Sequence, residues 1–187
     1  MHLLETTRLI LRQWKDSDSQ IFIEMNRDES VMEFFPSLLS EEETLAMIER
    51  IKKFLTENNF GLWAAERKDT NEFIGFVGLS IPRFQTDFTP CVEIGWRLAH
   101  KHWNNGFATE AAAACLDYAF NILNLNEIVS FTSVLNIKSI NVMKKIGMHY
   151  VKDFEHPNIE DGNRLKRHVL FKKVRKSESQ EVRKNAK

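Results

Sequence analysis

Residues 93–111 read Glu93-Ile-Gly-Trp-Arg-Leu-Ala-His-Lys-His-Trp-Asn-Asn-Gly-Phe-Ala-Thr-Glu-Ala111. The stretch begins as a strand, turns through Asn and Gly, and continues as a helix. Strand alternation puts Val92, Ile94, Trp96 and Leu98 on one face and Cys91, Glu93, Gly95 and Arg97 on the other. The helix carries Ala108, Ala111, Ala112, Cys115, Leu116, Ala119, Phe120 and Leu123 at i, i+3, i+4, i+7 spacing, and its small residues let it lie close to a sheet. The first N–H groups of a helix have no intrahelical partner, and the helix dipole adds partial positive charge there. The turn from Asn104 through Asn105, Gly106, Phe107 and Ala108 to Thr109 is therefore a place where a phosphate binds without a lysine. Gly106 lets a ligand approach the backbone, and Ala108 adds little bulk.

Outward from this segment the chain alternates strands and helices. Residues 8–12 read as a strand, and Asp16 to Arg27 as a short helix with Ile21, Phe22 and Met25 on one side. Ser40-Glu-Glu-Glu43 forms a capping box that opens a helix to about Glu57. Phe60 to Arg67 and Glu72 to Ile81 are β-rich runs joined by Lys68-Asp-Thr-Asn71, a hairpin. Cys91 to Ala99 is the fourth strand and Glu127 to Val134 the fifth. A helix follows over Asn136 to Ile146, with Gly147 suited to the left-handed position that ends it. Met148 to Phe154 and His168 to Val174 close the chain. No repeat, linker or domain boundary interrupts the pattern, so the chain reads as a single mixed α/β domain.

Composition excludes several classes. An apolar fraction of 43% with 14 Phe and 4 Trp supports a real core, which argues against disorder. No apolar run approaches the ~18 residues of a membrane span. The segment Met1 to Arg8 lacks the basic and apolar regions of a signal peptide. Two cysteines, Cys91 and Cys115, make no disulfide framework and read as packing residues in a reducing, cytoplasmic setting. Formal net charge is zero, yet residues 172–187 hold seven basic residues against Glu178 and Glu181. The body is correspondingly acidic, which speaks against nucleic acid and suits a cationic or amine-bearing partner. His100 and His102 have no Cys, Asp or Glu at ligand spacing, so no metal is expected.

The stretch Glu93 to Ala111 resembles the acetyl-CoA-binding motif of the GNAT N-acetyltransferase superfamily, Q/R-x-x-G-x-G/A. Gly106 and Ala108 match its last two fixed positions, and Trp103 stands where Gln or Arg is usual, a departure seen in the RimJ/RimL-like branch. Asn136-Ile-Lys-Ser139-Ile-Asn-Val-Met-Lys-Lys-Ile-Gly147-Met resembles that branch's N-x-x-S…K-x-G-[FM] segment. Glu5 to Arg12, Asp153 to Pro157 and Leu165 to Phe171 add further similarity. The resemblance spans about residues 5–174 and implies a single domain over residues 1–174; the charge count makes 175–187 a basic tail expected to be disordered. The resemblance also implies a central mixed twisted sheet of six to seven strands with helices on both faces and a splay between strands four and five. Acetyl-CoA would lie in that splay. Main-chain groups of Arg97, Leu98 and Ala99 would pair with pantetheine, the amides of Asn104 to Thr109 would hold the pyrophosphate, and Asn136 would bond the pantetheine arm. Asn141 and Lys144 are candidates for the nucleotide end. Many relatives dimerise, and a homodimer is left open.

The implied reaction sets chemical needs. An amine must lose a proton before it attacks a thioester, which asks more of a base for a lysine amine (pKa ~10.4) than for an α-amine (~8). The carbonyl oxygen needs a pre-placed N–H donor, for which a backbone amide near Leu98 serves. The leaving thiolate needs a proton; many GNAT branches take it from a Tyr on the following helix, none lies between Asn136 and Gly147 here, and the resemblance to the RimL type implies Ser139 as the donor. Glu93 is the candidate base, and Arg97, on the same face, is placed to pair with it instead and make it structural. His156 with Glu155 is the alternative base pair. Acceptor recognition falls to residues 16–57 and the last two strands, with Met32, Phe34, Phe35, Phe84 and Phe88 as pocket candidates. The acceptor would be a primary amine, of a peptide N-terminus or a small molecule. An alternative function is a non-catalytic acyl-CoA-binding or sensing domain. A different nucleotide-binding enzyme would need a Walker lysine or a glycine trio, and neither is present.

Overall fold

The computed structural model describes residues 3–175; the basic tail from residue 176 onward lies outside the described residues. In chain order the elements are β1 (Leu4–Glu5), β2 (Leu9–Arg12), α1 (Asp18–Arg27), α2 (Glu29–Met32), α3 (Glu41–Asn58), β3 (Leu62–Arg67), β4 (Phe73–Ser80), β5 (Glu93–Leu98), α4 (Phe107–Asn121), β6 (Glu127–Ser133), α5 (Ile137–Lys145), β7 (His149–Glu155) and β8 (Arg167–Val174). The strands form one mixed sheet in the order β1-β2-β3-β4-β5-β6-β8-β7. All neighbours run antiparallel except β5 and β6.

The sheet has eight strands where six or seven were expected. The addition is β1, two residues that pair with Ile10 and Leu11, too short for any alternation to register. The four-residue α2 was equally hidden; Asp28 starts it by accepting a hydrogen bond from the Ser30 N–H. The capping box is present in full: Ser40 Oγ accepts from the Glu43 N–H at 3.1 Å and Glu43 Oε2 from the Ser40 N–H at 2.7 Å. The first long helix begins at Asp18 rather than Asp16, since the Asp18 carboxylate accepts from the Lys15 N–H and from Arg12 and so holds residues 15–17 in a turn.

Two aromatic contacts fix which helix covers which face. Phe76 packs edge-on against Phe22 of α1 at 5.8 Å, while Trp63, paired across the ladder with Val77, packs against Tyr118 of α4 at 5.6 Å. Phe76 and Val77 are adjacent in β4 and point to opposite faces, so α1 and α4 cover opposite sides. In α4, Ala111, Ala112, Cys115 and Ala119 are fully buried, and their small side chains bring the helix close to the sheet. Across β4 and β5, Arg97 pairs with Phe76 and Trp96 with Val77. Arg97 therefore faces the α1 side and Trp96 the α4 side.

Candidate active site

The turn into α4 is held from a distance. Gly106 sits at φ 80° and Asn104 at φ 62°, so the chain reverses through left-handed backbone just before the helix. Glu110, in the helix's first turn, accepts from Thr6 Oγ1 at 2.6 Å, from the Arg8 N–H at 2.8 Å and from Arg8 Nε at 2.6 Å. Burial raises the Glu110 carboxyl, but these donors outweigh it and hold its pKa below the ordinary range. Arg8 also donates to the Asn105 carbonyl at 3.0 Å and lies over the Phe107 ring at 4.6 Å. The first backbone bond of α4 runs from the Glu110 N–H to the Gly106 carbonyl. The N–H groups of residues 106–109 therefore remain unpaired with any carbonyl among the described residues.

A cleft of about 590 Å³ leads away from those donors and crosses the sheet. It passes between β5 and β6, which share a single bridging pair, Glu93 with Val129. The Val129 N–H donates to the Val92 carbonyl, and Ser130 Oγ to the Ile94 carbonyl at 2.8 Å. Even-numbered residues of β5 thus turn their main-chain groups toward β6. Beyond Ile94 the strands part, leaving the amides of Trp96 and Leu98 facing the gap; the Leu98 carbonyl accepts from the Trp103 indole N–H at 2.7 Å. The Arg97 and Ala99 main chains turn the other way. The Ala99 N–H donates to the Ile74 carbonyl, and a Cβ on Gly75 would lie 2.1 Å from the Arg97 carbonyl oxygen, so only glycine fits there. The main chains of Arg97 and Ala99, expected to border the gap, thus turn away from it, and the Trp96 main chain and the Leu98 N–H face it.

On the α5 side, Asn136 caps the helix. Its Oδ1 accepts from the Ser139 N–H at 3.1 Å and its Nδ2 donates to Thr132 Oγ1 at 3.1 Å, which leaves one amide hydrogen for a ligand. Ser139 Oγ accepts from the Trp96 indole N–H at 3.3 Å, so its own proton stays available. Lys138, Asn141 and Lys145 line the cleft. Lys144 does not; it sits exposed about 100° further round the helix. Asn105 is also off the lining, where its side chain staples the loop to the His102 and Trp103 carbonyls.

On the α1 side, Glu93 reaches the cleft. Burial pushes its carboxyl up to about 7, against one hydrogen bond from Ser80 Oγ at 3.2 Å. It makes no pair with Arg97, whose Nη1 donates to Asn26 Oδ1 at 2.6 Å. His156 also lines the cleft, but burial and the neighbouring His168 and Lys166 push it down to about 4; Glu155 is exposed and off the lining. Val31, Phe34, Phe35 and Pro36 wall this end. Met32 is buried in the core, and Phe84 and Phe88 do not line the cleft themselves but stack behind it, Phe84 on the lining rings of Phe131 and His156 and Phe88 on Phe131 and Phe154. Cys115 is fully buried, and burial lifts the Cys91 thiol to about 11, which disfavours the reactive thiolate at neutral pH.

Comparison with known proteins gives a consistent picture. A family model described as "Acetyltransferase (GNAT) domain" matches residues 8–149. The chain is 38% identical over 152 residues to an uncharacterized protein YkkB of Bacillus subtilis (strain 168), covering 80% of this chain and 86% of that one. It is 33% identical over 149 residues to an uncharacterized N-acetyltransferase YnaD of the same organism, covering 79% and 82%. The crystal structure of an acetyltransferase (GNAT family) from Bacillus anthracis superposes with a TM-score of 0.77 at 25% identity, covering 92% of this chain and 98% of that one.

Proposed function

This chain belongs to the GNAT acetyltransferase family, and from that premise we propose that it is an acetyl-CoA-dependent N-acetyltransferase of the RimJ/RimL-like branch, active on a primary amine in a ternary complex. The observation that carries the proposal is one continuous cleft. It starts at the unpaired N–H groups of residues 106–109, crosses the sheet between β5 and β6, and ends at a carboxyl held near pH 7. These residues fit acetyl-CoA. The helix terminus suits a pyrophosphate, the main-chain groups of Trp96 facing the gap suit an amide-bearing arm lying as an added strand, and Asn136 keeps one donor. Lys138 and Lys145 suit the nucleotide end better than Lys144.

Bound acetyl-CoA supplies an acyl group activated as a thioester. Glu93 takes the proton from the incoming ammonium on the α1 side of the sheet, directly or through one water. The Leu98 N–H is the donor placed for the carbonyl oxygen as charge grows on it. Ser139, with its oxygen held by Trp96, would hand its proton to the sulfur as the C–S bond breaks on the α4 side, and would be reprotonated by the second proton that the amine nitrogen loses when the amide forms. The parted strands let the two faces meet at one point. A thioester chemistry with no disulfide requirement suits a reducing cytoplasm.

The test is release of CoA thiol from acetyl-CoA with a panel of amines and peptide N-termini, alongside calorimetric binding of acetyl-CoA. Binding with turnover of at least one amine is expected. Gly106→Val is expected to weaken binding at least about tenfold, because a branched side chain at a left-handed position strains the turn and crowds the donors. Binding without turnover of any amine would overturn the enzyme reading in favour of a sensing domain.

A further inference from the structure

Two arginines are buried among the described residues, and they are treated differently. Arg12 meets two carboxylates, Asp18 and Glu66. Arg97, 7% exposed, meets none among the described residues. Its Nη1 donates to the neutral Asn26, its Nε is buried without an acceptor, and Nη2 makes no hydrogen bond. The ring of Phe35 lies 4.0 Å from the guanidinium carbon, with Phe76 and Phe22 beyond at 5.7 and 5.9 Å. Aromatic faces attract a cation but cannot accept its N–H donors in place of a carboxylate. Burial lowers the Arg97 pKa to about 10, so the charge persists at neutral pH. A buried, unpaired charge is costly, and its persistence in a cleft wall points to an anion that arrives from outside.

The surroundings say where. Glu93, Gly95 and Arg97 share the α1 face of β5. A Cβ built on Gly95 would meet only Glu93 Oε1, at 3.8 Å, so the strand between the two charged groups has open space above it. Four residues of strand separate the Cα atoms of Glu93 and Arg97 by roughly 13 Å. Nη2 is the guanidinium group left to donate to a carboxylate.

We propose that the acceptor is an amine that also carries a carboxylate, with the carboxylate docked on the Arg97 guanidinium at Nη2 and the amine several bonds away beside Glu93. This rests on the transferase reading above. Arg97 is then an acceptor-positioning residue, and plain amines are poorer substrates because they leave the guanidinium unpaired.

The experiment compares matched pairs, 4-aminobutyrate with n-butylamine and 6-aminohexanoate with n-hexylamine. For each, kcat/KM is measured by CoA thiol release, and binding to the CoA-saturated protein by calorimetry. The ω-amino acid of each pair is expected to exceed its plain amine at least about tenfold, the scale of one charge-assisted contact. That ratio is expected to fall to about one in Arg97→Met and to an intermediate value in Arg97→Lys, which keeps the charge and loses the guanidinium. The wild-type comparison decides the matter even if Arg97→Met does not fold. Overturning results are a wild-type ratio near one, a ratio unchanged in Arg97→Met, or a protein that binds acetyl-CoA yet neither turns over nor binds either ω-amino acid. Those results leave acetyl transfer standing as long as another amine of the panel is turned over. A protein that does not bind acetyl-CoA would remove the transferase reading itself.

Discussion

Glu93 carries opposite demands. As a base it must be ionised, yet its burial favours the neutral form and places its pKa at about 7. The proposed chemistry should therefore rise with pH through about 7, as Glu93 loses its proton, and continue rising as the amine does. Glu93→Gln should lower kcat severalfold or more at pH 7.5–8.5 with acetyl-CoA affinity unchanged, and the wild-type inflection near pH 7 should vanish from its profile. A profile identical to wild type would remove Glu93 from the mechanism. The same burial predicts a stability effect of the opposite sense. The unfolded carboxyl titrates near 4.5, so between 4.5 and 7 the folded state holds more protons, and stability falls as pH rises. Above pH 7 the wild type carries the full cost of a buried carboxylate, roughly 3 kcal/mol at most. Glu93→Gln should thus be more stable than wild type in urea at pH 8 and equal to it below pH 4.5. A stabilising substitution that removes activity is the signature of a group kept for function.

At the scale of elements, the same comparison shows what a sequence can and cannot reveal. Alternation and helical spacing were enough to find β3, β4, β5, α3 and α4, since each is long enough for its buried face to repeat. Side-chain faces of β5 were legible for that reason; the direction of its main-chain groups was not, because it depends on which neighbour each residue bonds. Hence Trp96 and Leu98, rather than Arg97 and Ala99, border the gap. On α5 the cleft face is set by Lys138, Asn141 and Lys145 at helical spacing, and only the position of the cleft tells them from Lys144. The latch of Thr6 and Arg8 on Glu110 joins residues about a hundred positions apart and leaves no local mark. Another such tie fastens β2, β3 and α1. Arg12 donates to both oxygens of Asp18 at 2.7 and 2.8 Å and to Glu66 at 2.6 Å, and Lys15 also reaches Glu66. Arg12→Ala would leave the buried Asp18 carboxylate without its cation and Glu66 with Lys15 alone, and should cost about 3–5 kcal/mol in chemical denaturation. A loss under 1 kcal/mol would show that water replaces the guanidinium and that the elements do not depend on it.

For the molecule as a whole, the consequence of the splay is that the sheet is unfinished. β1 to β5 form one ladder and β6 to β8 another, and a single parallel bridge at Glu93 and Val129 joins them, with α4 and α5 packed across. A sheet this divided would ordinarily zip further, since unpaired main-chain groups in a cleft cost free energy. Here Trp96 and Ser139 hold the far side of the gap through the indole–hydroxyl contact, and the Trp103 indole occupies the Leu98 carbonyl, so the open geometry is built in. A ligand lying in the gap as an extra strand would restore the missing pairing and couple the halves. At a hundredfold excess over its dissociation constant, CoA should stabilise the fold by about 2.7 kcal/mol, and at roughly 2–4 °C per kcal/mol for this size the melting temperature should rise by about 5–10 °C. Simple surface binding would give the same shift. The distinguishing measurement is amide hydrogen exchange: CoA should slow the Trp96 and Leu98 amides together with those of residues 106–109. A melting shift accompanied by protection of residues 106–109 alone would mean that the diphosphate is held but the gap is not filled, and the two half-sheets would have to meet the substrate in some other way.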